Sequence, residues 1–178
     1  LKAIGHPKPI AELEIIEIGH EPDATQFEAW LSPIEGGVST AVVSESGCPA
    51  VADPGAGLVR LAHQKGIKVI PLVGPSSLLL TLMASGLNGQ CFSFKGYLPI
   101  KEPERSNTIR ALEKESAKKN ETMLFIETPY RNEKLFDVLV KTLSPSTLLT
   151  VAVDVTGEEE SIRTKNIATW NKEKGTLK

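Results

Sequence analysis

The sequence predicts an α/β fold, and three observations predict it. Two short β-branched runs, residues 40–43 and 67–70, each lead into a loop rich in glycine, proline and serine, residues 44–55 and 74–77. Each loop leads into an apolar stretch of helical pattern, so the chain repeats a strand–loop–helix unit. The second half then alternates short apolar runs with amphipathic or charged ones, again strand against helix. Two strand–loop–helix units in a row imply parallel strands with their loops side by side at the carboxyl ends. Open α/β sheets bind small ligands there.

The elements follow in order. Residues 13–18 alternate and read as a short strand; 23–31 read as a helix with Phe27, Trp30 and Leu31 on one face, broken by Pro33 and Gly36-Gly37. Residues 38–43 form a continuous apolar strand of the kind buried in a parallel sheet. Asp53-Pro54 suits a helix start, with Asp as cap and Pro in the first turn. Leu58, Val59, Leu61 and Ala62 supply the packing face, and Gly66 closes the helix. Residues 67–73 read as a strand and 78–85 as an apolar helix. The turn-forming segment 85–90 is the expected boundary between an N-terminal domain, 1–88, and a C-terminal domain, 91–178. Beyond it come a strand (91–97), a charged helix (104–119), a strand (122–127), an amphipathic helix (132–142) and a buried strand (148–155). A hairpin arm from 161 and a short helix over 167–172 complete the series.

Bulk properties narrow the function. A chain of 178 residues with 40% hydrophobic and 24% charged content fits one domain or two small ones with a real core. A net charge of -2 gives no bulk signal for nucleic acid, which leaves only local basic patches. Cys48 and Cys91 are far apart in sequence without ligand spacing, so the chain reads as a reduced, cytoplasmic protein. No apolar run is long enough to span a bilayer. His6, His20 and His63 lack ligand spacing, so no metal is expected. The chain opens at Leu1 and stops at Lys178 without a clear terminal element, and it reads as part of a longer protein.

Three places carry chemistry. In the first loop, Gly47, Gly55 and Gly57 admit close backbone approach, and Pro49 and Pro54 stiffen the remainder. The spacing is neither G-x-G-x-x-G nor a P-loop, which favours an adenosine or amino-acid portion over a phosphate. Two tight strand–helix turns with no ligand would read the same way. Ser76 and Ser77 follow Gly74-Pro75 in the second loop. The third place is Glu127-Thr128-Pro129-Tyr130-Arg131, where a carboxylate ends a strand and an arginine opens a helix. Arg131 can fork onto a phosphate, or Glu127 and Arg131 can pair to staple the turn. Lys95, Lys101, Arg105, Arg110, Lys114, Lys118 and Lys119 give the second half a basic bias, either a solvated face or a contact for a polyanion.

Taken in order, Ser44 to Gly55, Pro71 to Ser76, Ala84 to Leu87, Phe94 to Pro99 and Glu127 to Arg131 form an ordered motif set. The set resembles the S-adenosylmethionine-dependent methyltransferases of the tetrapyrrole-methylase superfamily. Within it, the set is most similar to the ribosomal RNA small subunit methyltransferase I branch, which methylates a cytidine ribose 2′-hydroxyl. The resemblance covers about residues 38–165. It implies a two-domain α/β fold with parallel or mixed sheets, flanking helices, an S-adenosylmethionine cleft between the domains, a homodimer and a ribosomal RNA or small-subunit partner. By it, Ser46, Gly47, Cys48, Pro49, Val51, Ser76, Ser77, Ile126 and Ala152 would contact the cofactor. Tyr130 and Arg131 would face the substrate, and Glu127 and Arg131 are the catalytic candidates. The family's opening strand would precede Leu1. Three stretches depart from the family pattern: Glu45-Ser46-Gly47-Cys48-Pro49 for Asp-Ala-Gly-Thr-Pro, Tyr130 for its histidine, and Val153-Asp154-Val155-Thr156 for Arg-Glu-Leu-Thr. A methyltransferase for a corrin-type small molecule and a non-catalytic binding module stay open as alternatives.

Overall fold

The computed structural model describes residues 5, 7–19 and 23–173. The chain divides into two units, Leu1–Gly74 and Pro75–Lys178. In the first, a 3-10 turn at Ile10–Glu12 precedes helices α1 (Ala24–Glu35) and α2 (Ala56–Gln64). The second holds α3 (Ser77–Ser85), β1 (Phe92–Tyr97), α4 (Glu104–Lys119), β2 (Thr122–Ile126), α5 (Asn132–Thr142), β3 (Leu148–Val153), β4 (Ser161–Asn166) and α6 (Ile167–Lys172).

Helix α1 opens on a reciprocal cap. Asp23 accepts from the Thr25 amide at 3.1 Å, and Gln26 Oε1 accepts from the Asp23 amide at 2.9 Å. The helix continues through Pro33 to Glu35 rather than stopping at Leu31. Proline removes the amide that would serve the Ala29 carbonyl, and the Ser32 hydroxyl donates to that oxygen instead, at 3.1 Å. Helix α2 begins at Ala56, with Gly55 as its cap residue and not Asp53. The Ala50 amide donates to the Pro54 carbonyl at 3.2 Å, which keeps 50–54 in a turn, and Gly55 enters the helix at φ 128°. Gly66, at φ 69°, ends α2 as its position suggested.

Leu31, Leu58 and Ala62 form the core of the first unit, with Phe27, Trp30, Val42, Ile67 and Val69 packed around them. Phe27 and Trp30 meet edge to face at 5.7 Å. The two helices come close because α2 offers Gly57 to the Phe27 ring; a Cβ there would lie 2.7 Å from Phe27 Cε2. Lys65 pairs with Glu28 at 2.5 Å and with Glu35 at 3.8 Å across the same helix pair. The Glu28 carboxylate, accepting a hydrogen bond from Lys65, raises the amine's pKa above its usual value.

The first unit departs from the sequence expectation in its strands. Residues 13–18, 38–43 and 67–73 make no strand pairing among the described residues. β-propensity is a fitness for a paired, half-buried surface, and without a paired neighbour an apolar run stays an extended segment. Val42, Ile67 and Val69 still pack against the helices, while Leu72 and Val73 are fully open to solvent.

The second unit matches its reading closely. β1 and β2 pair in parallel, Phe92 beside Thr122 and Phe94 beside Leu124, with α4 as the crossover. β3 and β4 form an antiparallel hairpin from Leu148 opposite Asn166 to Val153 opposite Ser161. The strand ends at Val153, short of the expected 155, because Asp154 turns left-handed at φ 50°. Leu98, Ile109, Leu135, Leu139, Leu149, Ile167 and Trp170 make the core. Trp170 Nε1 donates to the Leu149 carbonyl at 2.9 Å, and its ring meets Phe136 edge to face at 5.3 Å. Helix α3 packs on β3 and β4, where the Thr164 hydroxyl donates to the Ser85 carbonyl at 2.8 Å.

Candidate functional site

The first glycine loop is a string of left-handed residues. Gly47, Ala50, Ala52 and Gly55 all have positive φ, at 76°, 66°, 55° and 128°. Two alanines in that region cost about 1–2 kcal/mol each, strain that clusters at ligand clamps and switch segments. The loop is cross-tied from within. Ser44 Oγ donates to the Ser46 carbonyl at 2.9 Å, and the Val51 amide donates to the Cys48 carbonyl at 3.2 Å. Space is open where a side chain on Gly47 would point, with nothing within 4 Å. Cys48 and Pro49 are half-buried, and Val51 presents its side chain to solvent. Gly57, read from sequence as part of this loop, serves the α1–α2 contact instead.

The second loop straddles the division between the units, at Gly74 and Pro75. Ser76 is the cap residue of α3, but its side chain makes no capping bond. Ser77 is the first helical residue and is exposed. Ile126 ends β2 and Ala152 lies in β3 opposite Ile162, both half-buried and in different two-stranded sheets.

The third site is the most tightly built. β2 ends at Ile126, and the Arg131 amide donates to the Thr128 carbonyl at 3.0 Å, folding 128–131 into a turn before α5. That turn swings Arg131 back onto Glu127. Arg131 Nε and Nη2 donate to Glu127 Oε1 at 2.8 and 2.7 Å, and the Thr128 amide donates to the same oxygen at 2.8 Å. The Glu127 side chain is almost wholly buried, so its charge is compensated where it lies. The staple reading of this pair is the one the contacts show, and the staple fixes the direction of the guanidinium.

Tyr97 joins this cluster, and sequence reading missed it as a site residue. The parallel register advances three residues on β1, from Phe94 to Tyr97, against two on β2, from Leu124 to Ile126. Gly96, at φ 66°, absorbs the extra residue as a bulge. The Tyr97 ring then stands 6.0 Å from the Arg131 guanidinium, and the Tyr130 ring stands 5.4 Å from it. A glycine inside a strand was the available signal.

The basic run separates into different jobs. Arg105 is buried, donating from Nε to the Pro99 carbonyl at 2.7 Å and from Nη2 to the Ile100 carbonyl. It clamps the loop after β1 and belongs to neither a solvated face nor an anion contact, because those carbonyls need its donors inside the fold. Lys95 and Lys119 both reach Glu115, at 3.7 and 2.5 Å. His6 and His20 lie outside the described residues. Among the described residues no group of three or more His, Cys, Asp or Glu side chains could hold a metal ion, and no helix is long and apolar enough to cross a membrane.

No family model matches the chain. It is similar to proteins named ribosomal RNA small subunit methyltransferase I. The one from Mesorhizobium japonicum is 36% identical over 134 residues, covering 75% of this chain and 44% of that protein. The one from Vibrio cholerae is 35% identical over 149 residues, 79% of this chain and 50% of that protein. The one from Xylella fastidiosa is 32% identical over 169 residues, 95% of this chain and 59% of that protein. The chain thus spans about half the length of the curated relatives it matches. Among solved structures, the methyltransferase CobJ matches 88% of this chain and 66% of its own at a TM-score of 0.56 and 18% identity. At that identity the likeness is one of fold, and it agrees with the two-domain α/β, tetrapyrrole-methylase-like architecture expected from the motifs.

Proposed function

We propose that this chain is part of an S-adenosylmethionine-dependent methyltransferase that methylates a ribose 2′-hydroxyl of ribosomal RNA. The observation that carries the reading is the strained loop at 44–55. A backbone held left-handed at Ala50 and Ala52, with open space beside Gly47, is a fixed, glycine-lined surface that suits an adenosine or amino-acid portion. Ser46, Gly47, Cys48, Pro49 and Val51 on that loop, Ser76 and Ser77 on the second, and Ile126 and Ala152 on the strands are the residues we assign to the cofactor. When bound, S-adenosylmethionine would supply an electrophilic methyl group for a hydroxyl oxygen, with its sulfur leaving as the neutral thioether and the hydroxyl proton lost to solvent.

The chain's own residues supply alignment. Good alignment is worth roughly 7–11 kcal/mol of a displacement barrier. Arg131 offers its Nη1 donors to a phosphate, since Glu127 takes Nε and Nη2. Glu127 organises the site: its Oε1 already accepts from Arg131 and Thr128, so it fixes the guanidinium and polarises the turn around it. Tyr130 faces the substrate beside it. The domain assignment that goes with this reading is 1–88 and 91–178, joined at the turn 85–90. The working protein is a cytoplasmic homodimer acting on RNA or on the small ribosomal subunit.

Calorimetry of the full-length protein with S-adenosylmethionine tests the reading directly. Saturable binding that Gly47→Val weakens supports it, and no binding to the folded wild type rejects it. Glu127→Gln separates roles for Glu127, because an organiser loses orientation and substrate affinity, whereas a base loses turnover at unchanged affinity. Arg131→Ala should weaken RNA binding and flatten its salt dependence by about one phosphate contact. Sedimentation of the full-length protein checks the dimer.

A further inference from the structure

We propose that Tyr97 and Tyr130, flanking the Arg131 guanidinium, form a platform on which an unpaired base of single-stranded RNA stacks. This deepens the RNA reading of the same site and rests on it.

Both rings are set out in solvent, Tyr97 at 51% and Tyr130 at 81% exposure. Neither belongs to the hydrophobic core of its unit. They come from different elements, one from a bulged strand end and one from the turn before α5, and still converge on one cation. The centroid distances of 6.0 and 5.4 Å lie within the range of a cation–π contact. The cation itself is fixed, because two of its nitrogens are held by the buried Glu127 carboxylate. Two exposed rings around an immobilised planar cation therefore have little freedom left to lose on stacking. Single-stranded RNA is read by splayed bases laid on aromatic or arginine planes, and every base has a π-face. The platform is thus tolerant of base identity but needs a base to be present. Arg131 Nη1 sits beside it to meet the adjoining phosphate, so base and backbone would be held from one cluster.

The test uses the full-length protein and a short single-stranded RNA carrying 2-aminopurine, whose fluorescence falls on stacking. Loss of one aromatic platform should weaken binding about 5- to 150-fold, equivalent to roughly 1–3 kcal/mol per stacked base. Tyr130→Ala and Tyr97→Ala should each show that loss and abolish the quenching. Tyr130→Phe and Tyr130→Trp should keep both, and an abasic residue in place of 2-aminopurine should mimic the alanine variants on wild type. Circular dichroism checks folding, which the exposed Tyr130 position should leave unchanged. The platform is refuted if wild type binds and quenches the RNA and Tyr130→Ala does so equally well; the RNA reading then survives. If wild type binds S-adenosylmethionine but no RNA, both readings fall. If Tyr130→Ala loses S-adenosylmethionine affinity with RNA affinity intact, the rings serve the cofactor and the proposal is overturned.

Discussion

Gly57→Ala isolates the contact that sets the α1–α2 spacing. The new methyl would sit 2.7 and 2.8 Å from Phe27 Cε2 and Cζ. Carbon atoms prefer roughly 3.5–4.0 Å, so ring and helix must part by close to 1 Å. Overpacking of this kind costs about 1–3 kcal/mol. Alanine returns about 1 kcal/mol of helix propensity relative to glycine. Because Phe27 is only half-buried, its ring can yield, and the lower half of the range applies. The net expectation is a loss of about 0.5 kcal/mol in local stability. Hydrogen exchange by mass spectrometry on the full-length protein reads this by region: α1 and α2 peptides should exchange about twofold faster, and β3, β4 and α6 peptides should be unchanged. Phe27→Leu in the same chain should relieve the clash, giving a double-mutant cycle with a coupling of at least 0.5 kcal/mol. Slower exchange in Gly57→Ala would mean that propensity acts alone, and the close packing of Gly57 on Phe27 would be refuted.

Three further outcomes follow. Trp170→Phe keeps the ring contact with Phe136 but removes the Nε1 hydrogen bond to the Leu149 carbonyl, which also lies in the β3–β4 ladder opposite Lys165, costing roughly 0.5–1.5 kcal/mol; a thermal melt of the full-length protein that does not shift would contradict the role of Nε1. Gly96→Ala meets no neighbour within 4 Å, so its cost is backbone strain alone, about 1–2 kcal/mol at φ 66°, measured by denaturant unfolding; a stability gain would reject the left-handed bulge. At the end of α4, the hydrogen bond from Lys119, followed by the charges of Lys119 and Lys95, lowers the Glu115 pKa below its ordinary 4.5. A carboxyl lowered in the folded state adds stability that is present above 4.5 and lost as pH falls through the folded value. An NMR titration of the α4 end should show that loss in low salt and a weaker one in high salt, since the pair lies at the surface.

What could be read in advance follows from the range of the forces involved. The elements from β1 to α6 are legible because their signals are local: apolar residues at helical spacing in α5, a charged α4, and β-branched runs that find partners within the same unit. Glu127 and Arg131 are legible as a pair because four residues around one turn must bring them near each other. The runs at 38–43 and 67–73 carry equally good strand composition, yet composition cannot supply a ladder. Gly57 was misread for the same kind of reason. Its meaning lies in Phe27, thirty positions earlier, and nothing in the loop around it encodes that approach. Tyr97 shows the step between these cases. No spacing links it to Arg131, but Gly96 inside β1 marks a bulge, and a bulge at a strand end turns the next side chain toward whatever follows the partner strand. In a parallel pair that is the loop after β2, the segment holding Glu127, Tyr130 and Arg131. A strand-interior glycine one residue before an exposed aromatic, on a strand whose parallel partner ends in a charged turn, is therefore a readable sign that the two strand ends build one site.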